Sequence, residues 1–147
     1  MTAPVNWNAL LGSILESFRC QTGTLHRVKD DPATLTLVCQ IGVPDFLVEK
    51  IATIPFGKGI AGVAAERKEP VELCNLQEDL DGVARVDARK TGVSGSLAVP
   101  VFSNTSGAVI GTLGIGKFAP YEFTAAEKQR LMDYAAEIAG HFEHKPL

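Results

Sequence analysis

The sequence predicts an α+β fold in which a mostly antiparallel sheet carries a helix at each end of the chain. Three observations lead there. Apolar residues recur at helical spacing from Trp7 to Phe18 and again from Leu131 to Phe142, β-forming runs lie in pairs between them, and turn-forming residues separate the members of each pair.

Trp7, Leu10, Leu11, Ile14, Leu15 and Phe18 define one face of an opening amphipathic helix. Thr22 to Val28 and Leu35 to Ile41 read as two strands joined through Lys29-Asp30-Asp31-Pro32-Ala33, a hairpin. Gly42-Val43-Pro44 ends the second strand, and Asp45 to Ile51 reads as a short helix after a proline. The turn Phe56-Gly57-Lys58-Gly59 then leads into a helix from Ile60 to Arg67, which Pro70 stops. Val71 to Cys74 is a short strand, and Asn75 to Gly92 is polar, charged and weakly patterned, the mark of a functional or a mobile segment. Ser96 to Phe102 and Ala108 to Lys117 form a second antiparallel pair across Ser103-Asn104-Thr105-Ser106-Gly107. Thr124-Ala125-Ala126-Glu127 is a capping box opening the last helix, whose apolar stripe is Leu131, Tyr134, Ala135, Ile138, Ala139 and Phe142.

Composition excludes several function classes. A chain of 147 residues, 46% hydrophobic and 21% charged, suits one domain spanning residues 1–147. The formal net charge of -3, with scattered Lys and Arg, offers no footprint for nucleic acid or an anionic membrane. No apolar run approaches the roughly 20 residues of a membrane helix, and no export signal opens the chain. Cys20, Cys39 and Cys74 are too few and too separated for a disulfide scaffold. Reduced, buried thiols and a cytoplasmic location are the expectation.

Four stretches together resemble the GAF family over about Leu10 to Phe142. They are Gly23-Thr24-Leu25-His26-Arg27-Val28, Pro55-Phe56-Gly57-Lys58-Gly59-Ile60-Ala61-Gly62-Val63-Ala64, Ser96-Leu97-Ala98-Val99-Pro100-Val101, and Val109-Ile110-Gly111-Thr112-Leu113-Gly114-Ile115 with Phe123-Thr124. The resemblance implies a six-stranded antiparallel sheet, PAS- or profilin-like, with the terminal helices on one face and a pocket on the other. It also implies dimerisation through those helices, and a sensory or signal-relaying role. GAF domains bind cyclic nucleotides, haem, bilins or small organic acids, so the family sets the fold and leaves the ligand and any cofactor open. The Asn-Lys-Phe-Asp-Glu constellation of cyclic-nucleotide members is missing. So is the histidine that accompanies a bilin-attachment cysteine, since none lies between His26 and His141. Where many members have aspartate after the third strand, this chain has Asn75.

Other motifs are read structurally. Gly57-Lys58-Gly59-Ile60-Ala61-Gly62 fits G-x-G-x-x-G, but Pro55 and Pro70 prevent the strand and long crossover helix that a dinucleotide site needs. The glycines are therefore assigned to a turn that lets a helix pack closely. His26 has no catalytic partner at a recognisable spacing and reads as a hydrogen-bonded structural histidine. His141 and His144 stand at i, i+3 on a solvated helix end rather than at a metal. Some GAF-like proteins reduce free methionine sulfoxide with pocket cysteines. Cys20, Cys39 and Cys74 do not match that placement, and the chain is expected not to be an enzyme, with the redox enzyme or a dimerisation module with a vestigial pocket as alternatives. Arg85, Arg89 and Lys90 read first as part of a solvated loop balanced by Glu78, Asp79, Asp81 and Asp87, and second as a clamp for an acidic ligand.

Strand alternation puts Ser96 and Ala98 opposite Leu97, Val99 and Val101, so the aliphatic face meets the helices and the small-residue face meets a cavity. An unidentified small molecule, an anion or polar heterocycle rather than a lipid, is expected between that face, the start of the Ile60 helix and the long loop. The residues expected nearest it are Ile60, Cys74, Asn75, Arg85 and Ser96. Trp7, Leu11, Ile14, Phe18, Ile138 and Phe142 offer more apolar surface than one sheet face is expected to cover, which predicts a homodimer through the terminal helices.

Overall fold

The computed structural model describes residues 5–29, 33–73 and 94–143. Helix α1 runs Trp7–Phe18, with the Asn6 side chain accepting from the Ala9 amide at 3.0 Å and Arg19 closing the helix in the left-handed conformation, φ 56°. Strands β1 (Thr22–Val28) and β2 (Thr34–Ile41) follow, then α2 (Asp45–Ile51), β3 (Thr53–Pro55), α3 (Gly59–Arg67) and β4 (Val71–Leu73). After them come β5 (Gly95–Phe102), β6 (Val109–Lys117) and α4 (Ala125–Glu143). The capping box forms as its residues dictate: the Thr124 amide donates to Glu127 Oε1 at 2.9 Å and the Glu127 amide to Thr124 Oγ1 at 3.1 Å.

The six strands make one sheet in the order β3-β2-β1-β6-β5-β4, and every neighbouring pair is antiparallel. Strand β3 was not foreseen from residue pattern. Three residues are too few to show alternation, and Pro55 is tolerated because β3 is an edge. Strand β2 carries one extra residue, since Leu25 pairs with Cys39 while His26 pairs with Leu37. That bulge turns both Val38 and Cys39 toward the core. The register of β1 on β6 has no such break, so face alternation along these two central strands is strict.

One face of the sheet, through Leu25, Leu97, Val99, Val101, Leu113 and Ile115, packs against α1 and α4, as strand alternation predicted. Leu11, Ile14, Phe18, Ile138 and Phe142 belong to this core and are at most 6% exposed. The apolar surplus expected of the terminal helices is therefore absent, because the sheet consumes it. Trp7 alone of that set is half-exposed, and its ring packs on Phe142 with centroids 5.2 Å apart. Arg27 adds a lateral tie, donating to the Phe142 carbonyl at 2.8 Å with its guanidinium 4.8 Å from the ring centroid.

The end of α4 is fixed by a contact between residues about 40 positions apart in sequence. Glu143 accepts from the Ser103 hydroxyl at 2.6 Å, the Asn104 amide at 2.7 Å and the Thr105 hydroxyl at 3.2 Å, tying the helix to the β5–β6 turn. The Ser103 hydrogen bond, then the Asn104 amide, hold this carboxyl below its ordinary value of 4.5. A depressed folded-state pKa stabilises above the unfolded value, and that stability is lost as pH falls through the folded value. Glu143→Gln will therefore melt below the wild type at neutral pH, and the gap between the two will close as pH falls through the carboxyl's folded-state value. A gap that persists in acid would show that the carboxylate charge is not what holds the turn.

Candidate functional site

On the sheet face away from α1 and α4, three adjacent inner strands, β1, β6 and β5, present small side chains. Thr24, Gly114 and Ala98 lie side by side in register, with Val71 of β4 beyond Ala98, and Thr22, Gly116 and Ser96 form the next row. Thr24, Gly114 and Ser96 are half-exposed, whereas Ala98 is covered. A half-exposed strip, the trough, runs along the Thr24–Gly114 and Ser96 positions, where side-chain volume is least.

Helix α3 forms one wall. Ala64, Val71 and Ala98 make a small cluster against which Ile60 and Val63 pack, and Ala65 joins Leu35 and Ile54 on the β2–β3 side. The glycine motif explains how the helix comes so close. Gly57 and Gly59 take φ of 85° and 67°, in the left-handed region, and a Cβ on Gly62 would lie 2.5 Å from the Pro55 carbonyl oxygen. The motif is a turn and a close contact, as the two flanking prolines indicated.

Of the expected ligand neighbours, the structure brings Ile60 and Ser96 to this face, Ile60 in the first turn of α3 and Ser96 on β5. Ala98, expected to border open volume, is instead 2% exposed beneath α3, which narrows the trough to the Ser96 side. Cys74, Asn75 and Arg85, with Arg89 and Lys90, lie outside the described residues, as does His144.

His26 and Thr112, paired on β1 and β6, occupy the row on the far side of Thr24 and Gly114 and are each 1% exposed. His26 Nε2 lies 2.8 Å from the Ile51 carbonyl at the end of α2, so the reading of a hydrogen-bonded histidine holds for that nitrogen. Burial pushes its pKa below 6.5 despite this bond, keeping the ring neutral. His26 Nδ1 and Thr112 Oγ1 have no hydrogen-bond partner among the described residues. Sequence reasoning missed Thr112, because a threonine in a strand is an ordinary β-former and only the register shows what faces it.

The described cysteines are on the other side. Cys39 sits in the core between sheet and terminal helices, Cys20 packs against that core, and burial pushes each thiol up to about 11. Neither is a thiolate at neutral pH. A second cleft, between the end of β5 and α4, is lined by Pro100, Phe102, Met132 and Ala135 and holds about 100 Å³. That is well under the ~300 Å³ at which ligand pockets begin. Among the described residues no helix is long and apolar enough to cross a membrane, and no three His, Cys, Asp or Glu side chains are grouped to hold a metal.

Known proteins share this architecture. The GAF domain of a phosphoenolpyruvate-protein phosphotransferase from Coxiella burnetii superposes with a TM-score of 0.80 at 23% identity, over 97% of this chain and 85% of that one. The corresponding domain from Acinetobacter gives 0.73 at 17% identity, over 92% and 78%. Free methionine-R-sulfoxide reductase from Neisseria meningitidis, in complex with its substrate, gives 0.71 at 20% identity, over 92% and 74%. At such identities these are likenesses of fold. No curated protein matches the sequence. The family model described as GAF domain matches residues 8–142, nearly the whole chain, and the protein therefore belongs to the GAF domain family.

Proposed function

We propose that this GAF domain is a cytoplasmic regulatory module that senses a small molecule or relays a signal, without catalytic activity. The observation that carries the reading is the trough. Three inner strands place Thr24, Gly114 and Ser96 on one half-exposed strip beside α3, while the large aliphatic residues of the same strands are spent on the opposite face. Low side-chain volume with a few hydroxyls among apolar neighbours suits a small polar ligand. Homodimerisation belongs to the same reading, through the outward faces of α1 and α4, since the inward faces are buried.

The competing reading is a methionine sulfoxide reductase, a class represented among the fold neighbours. It needs a thiolate at the site. Among the described residues the cysteines, Cys20 and Cys39, are neutral thiols behind the sheet, which favours the sensor.

The deciding experiment fills the trough. Ser96→Phe places a ring where the sheet presents a hydroxyl, and thermal shifts are recorded against small carboxylic acids, nucleobases and cyclic amides. The wild type is expected to gain stability with at least one compound, by mass action, and Ser96→Phe to gain none. An equal response in both would place the site elsewhere, and turnover of methionine sulfoxide with a thiol reductant would favour the enzyme.

A further inference from the structure

Among the described residues, His26 and Thr112 each leave one polar atom unsatisfied. The residues oppose each other on β1 and β6, on the trough side, and both are buried. Opposed side chains on neighbouring strands have Cβ atoms about 4.5–5.5 Å apart, close enough for one small group to meet both. Buried polar groups are almost always paired, so two orphans on opposed residues call for a partner that both could share.

The chemistry of that partner follows from the tautomer. A carbonyl oxygen can only accept, so His26 Nε2 donates to Ile51 and carries the ring proton. Nδ1 is then a bare acceptor, and whatever meets it must donate. The Thr112 hydroxyl can give or take a hydrogen bond. A carboxylate or phosphate would bring negative charge against the Nδ1 lone pair, whereas an uncharged group with N–H beside C=O satisfies both atoms.

There is a way in. Thr24 and Gly114 are the next residues on this face of the same two strands, and both are half-exposed. Gly114 has no side chain, and a Cβ there would meet only the Thr24 hydroxyl at 3.0 Å and the Leu97 carbonyl at 3.9 Å. The pair thus closes the inner end of the trough whose open part holds Ser96.

We propose that His26 Nδ1 and the Thr112 hydroxyl are the recognition end of this site, taking the N–H and C=O of an uncharged cyclic amide, the edge that uracil presents. The proposal rests on the sensing function above and narrows its ligand to a neutral heterocycle, against an anion.

The test uses uracil and 2-pyrrolidinone as probes, acetate as the anionic control, and Thr112→Val, which keeps the shape of the side chain and removes the hydroxyl. Uracil is expected to raise the melting temperature of the wild type and to move the His26 Nδ1 resonance, with acetate doing neither. Thr112→Val should weaken the probe by roughly tenfold, the value of one good hydrogen bond, yet melt no lower than the wild type when free, because it discards an unpartnered group. If acids bind, Ser96→Phe abolishes that binding, and both Thr112→Val and the His26 resonance are indifferent, the sensing function stands and this assignment falls. A water that stays in contact with His26 at saturating probe would identify the missing partner as resident water only and overturn the proposal. Should no compound bind the wild type, both readings fail together.

Discussion

Replacing Ile14 by glutamate will abolish the fold. Ile14 is 0% exposed in α1, within the core that joins α1 and α4 to Leu25, Leu97, Val99 and Leu113. The substitution removes a buried aliphatic side chain and puts an unpaired carboxylate in its place, at a combined loss of about 5 kcal/mol or more. Domains have only about 5–15 kcal/mol in total. Circular dichroism and a urea titration will read the outcome, with Ile14→Val as the control that should lose only about 0.5–1.5 kcal/mol. A folded Ile14→Glu protein, whose light-scattering mass fell from dimer to monomer, would instead mean that this face of α1 is an interface between copies.

Gly62→Ala is the second substitution expected to do serious damage, although alanine is the better helix former by about 1 kcal/mol. The added Cβ would lie 2.5 Å from the Pro55 carbonyl oxygen and 3.2 Å from the Gly57 amide nitrogen. Both are backbone atoms, so no side-chain rotation relieves the contact, and α3 must move away from β3. Overpacking of this kind costs about 1–3 kcal/mol, which outweighs the gain in propensity. Because α3 also walls the trough at Ile60 and covers Ala98, the variant should lose both urea resistance and the ligand response of the wild type. An unchanged urea midpoint would show that α3 is free to shift, and that the glycine motif serves something other than packing.

These two cases show how legible the fold was. The inward stripes of α1 and α4 were visible as apolar residues at helical spacing, since a helix repeats every 3.6 residues and a stripe needs no partner to be seen. The prolines on either side of the glycine motif sufficed to reject a dinucleotide site, but the contact between Gly62 and Pro55 is a distance between two elements and has no sequence signature. Strand β3 escaped because three residues carry no period. The bond of Glu143 to the Ser103–Thr105 turn escaped because it joins positions about 40 residues apart.

For the site, alternation along β5 correctly sent Leu97, Val99 and Val101 to the helices and Ser96 to the opposite face. Local periodicity determines which face a side chain takes, and it did so here without any tertiary information. Whether that face is open is a different question. Ala98 and Ser96 share it, yet α3 covers one and leaves the other half-exposed. The terminal helices make the same point, since their apolar faces and their place on the sheet were read correctly while the extent to which the sheet covers them was not. His26 illustrates it most sharply: its hydrogen bond to Ile51 and its orphan Nδ1 beside Thr112 depend on the register of β1 against β6 and on where α2 ends. The sequence by itself determined every element but β3, the inward faces and the family. Only the tertiary structure decided which polar atoms are left without partners, because pairing is set by distances between segments that the order of residues does not encode locally.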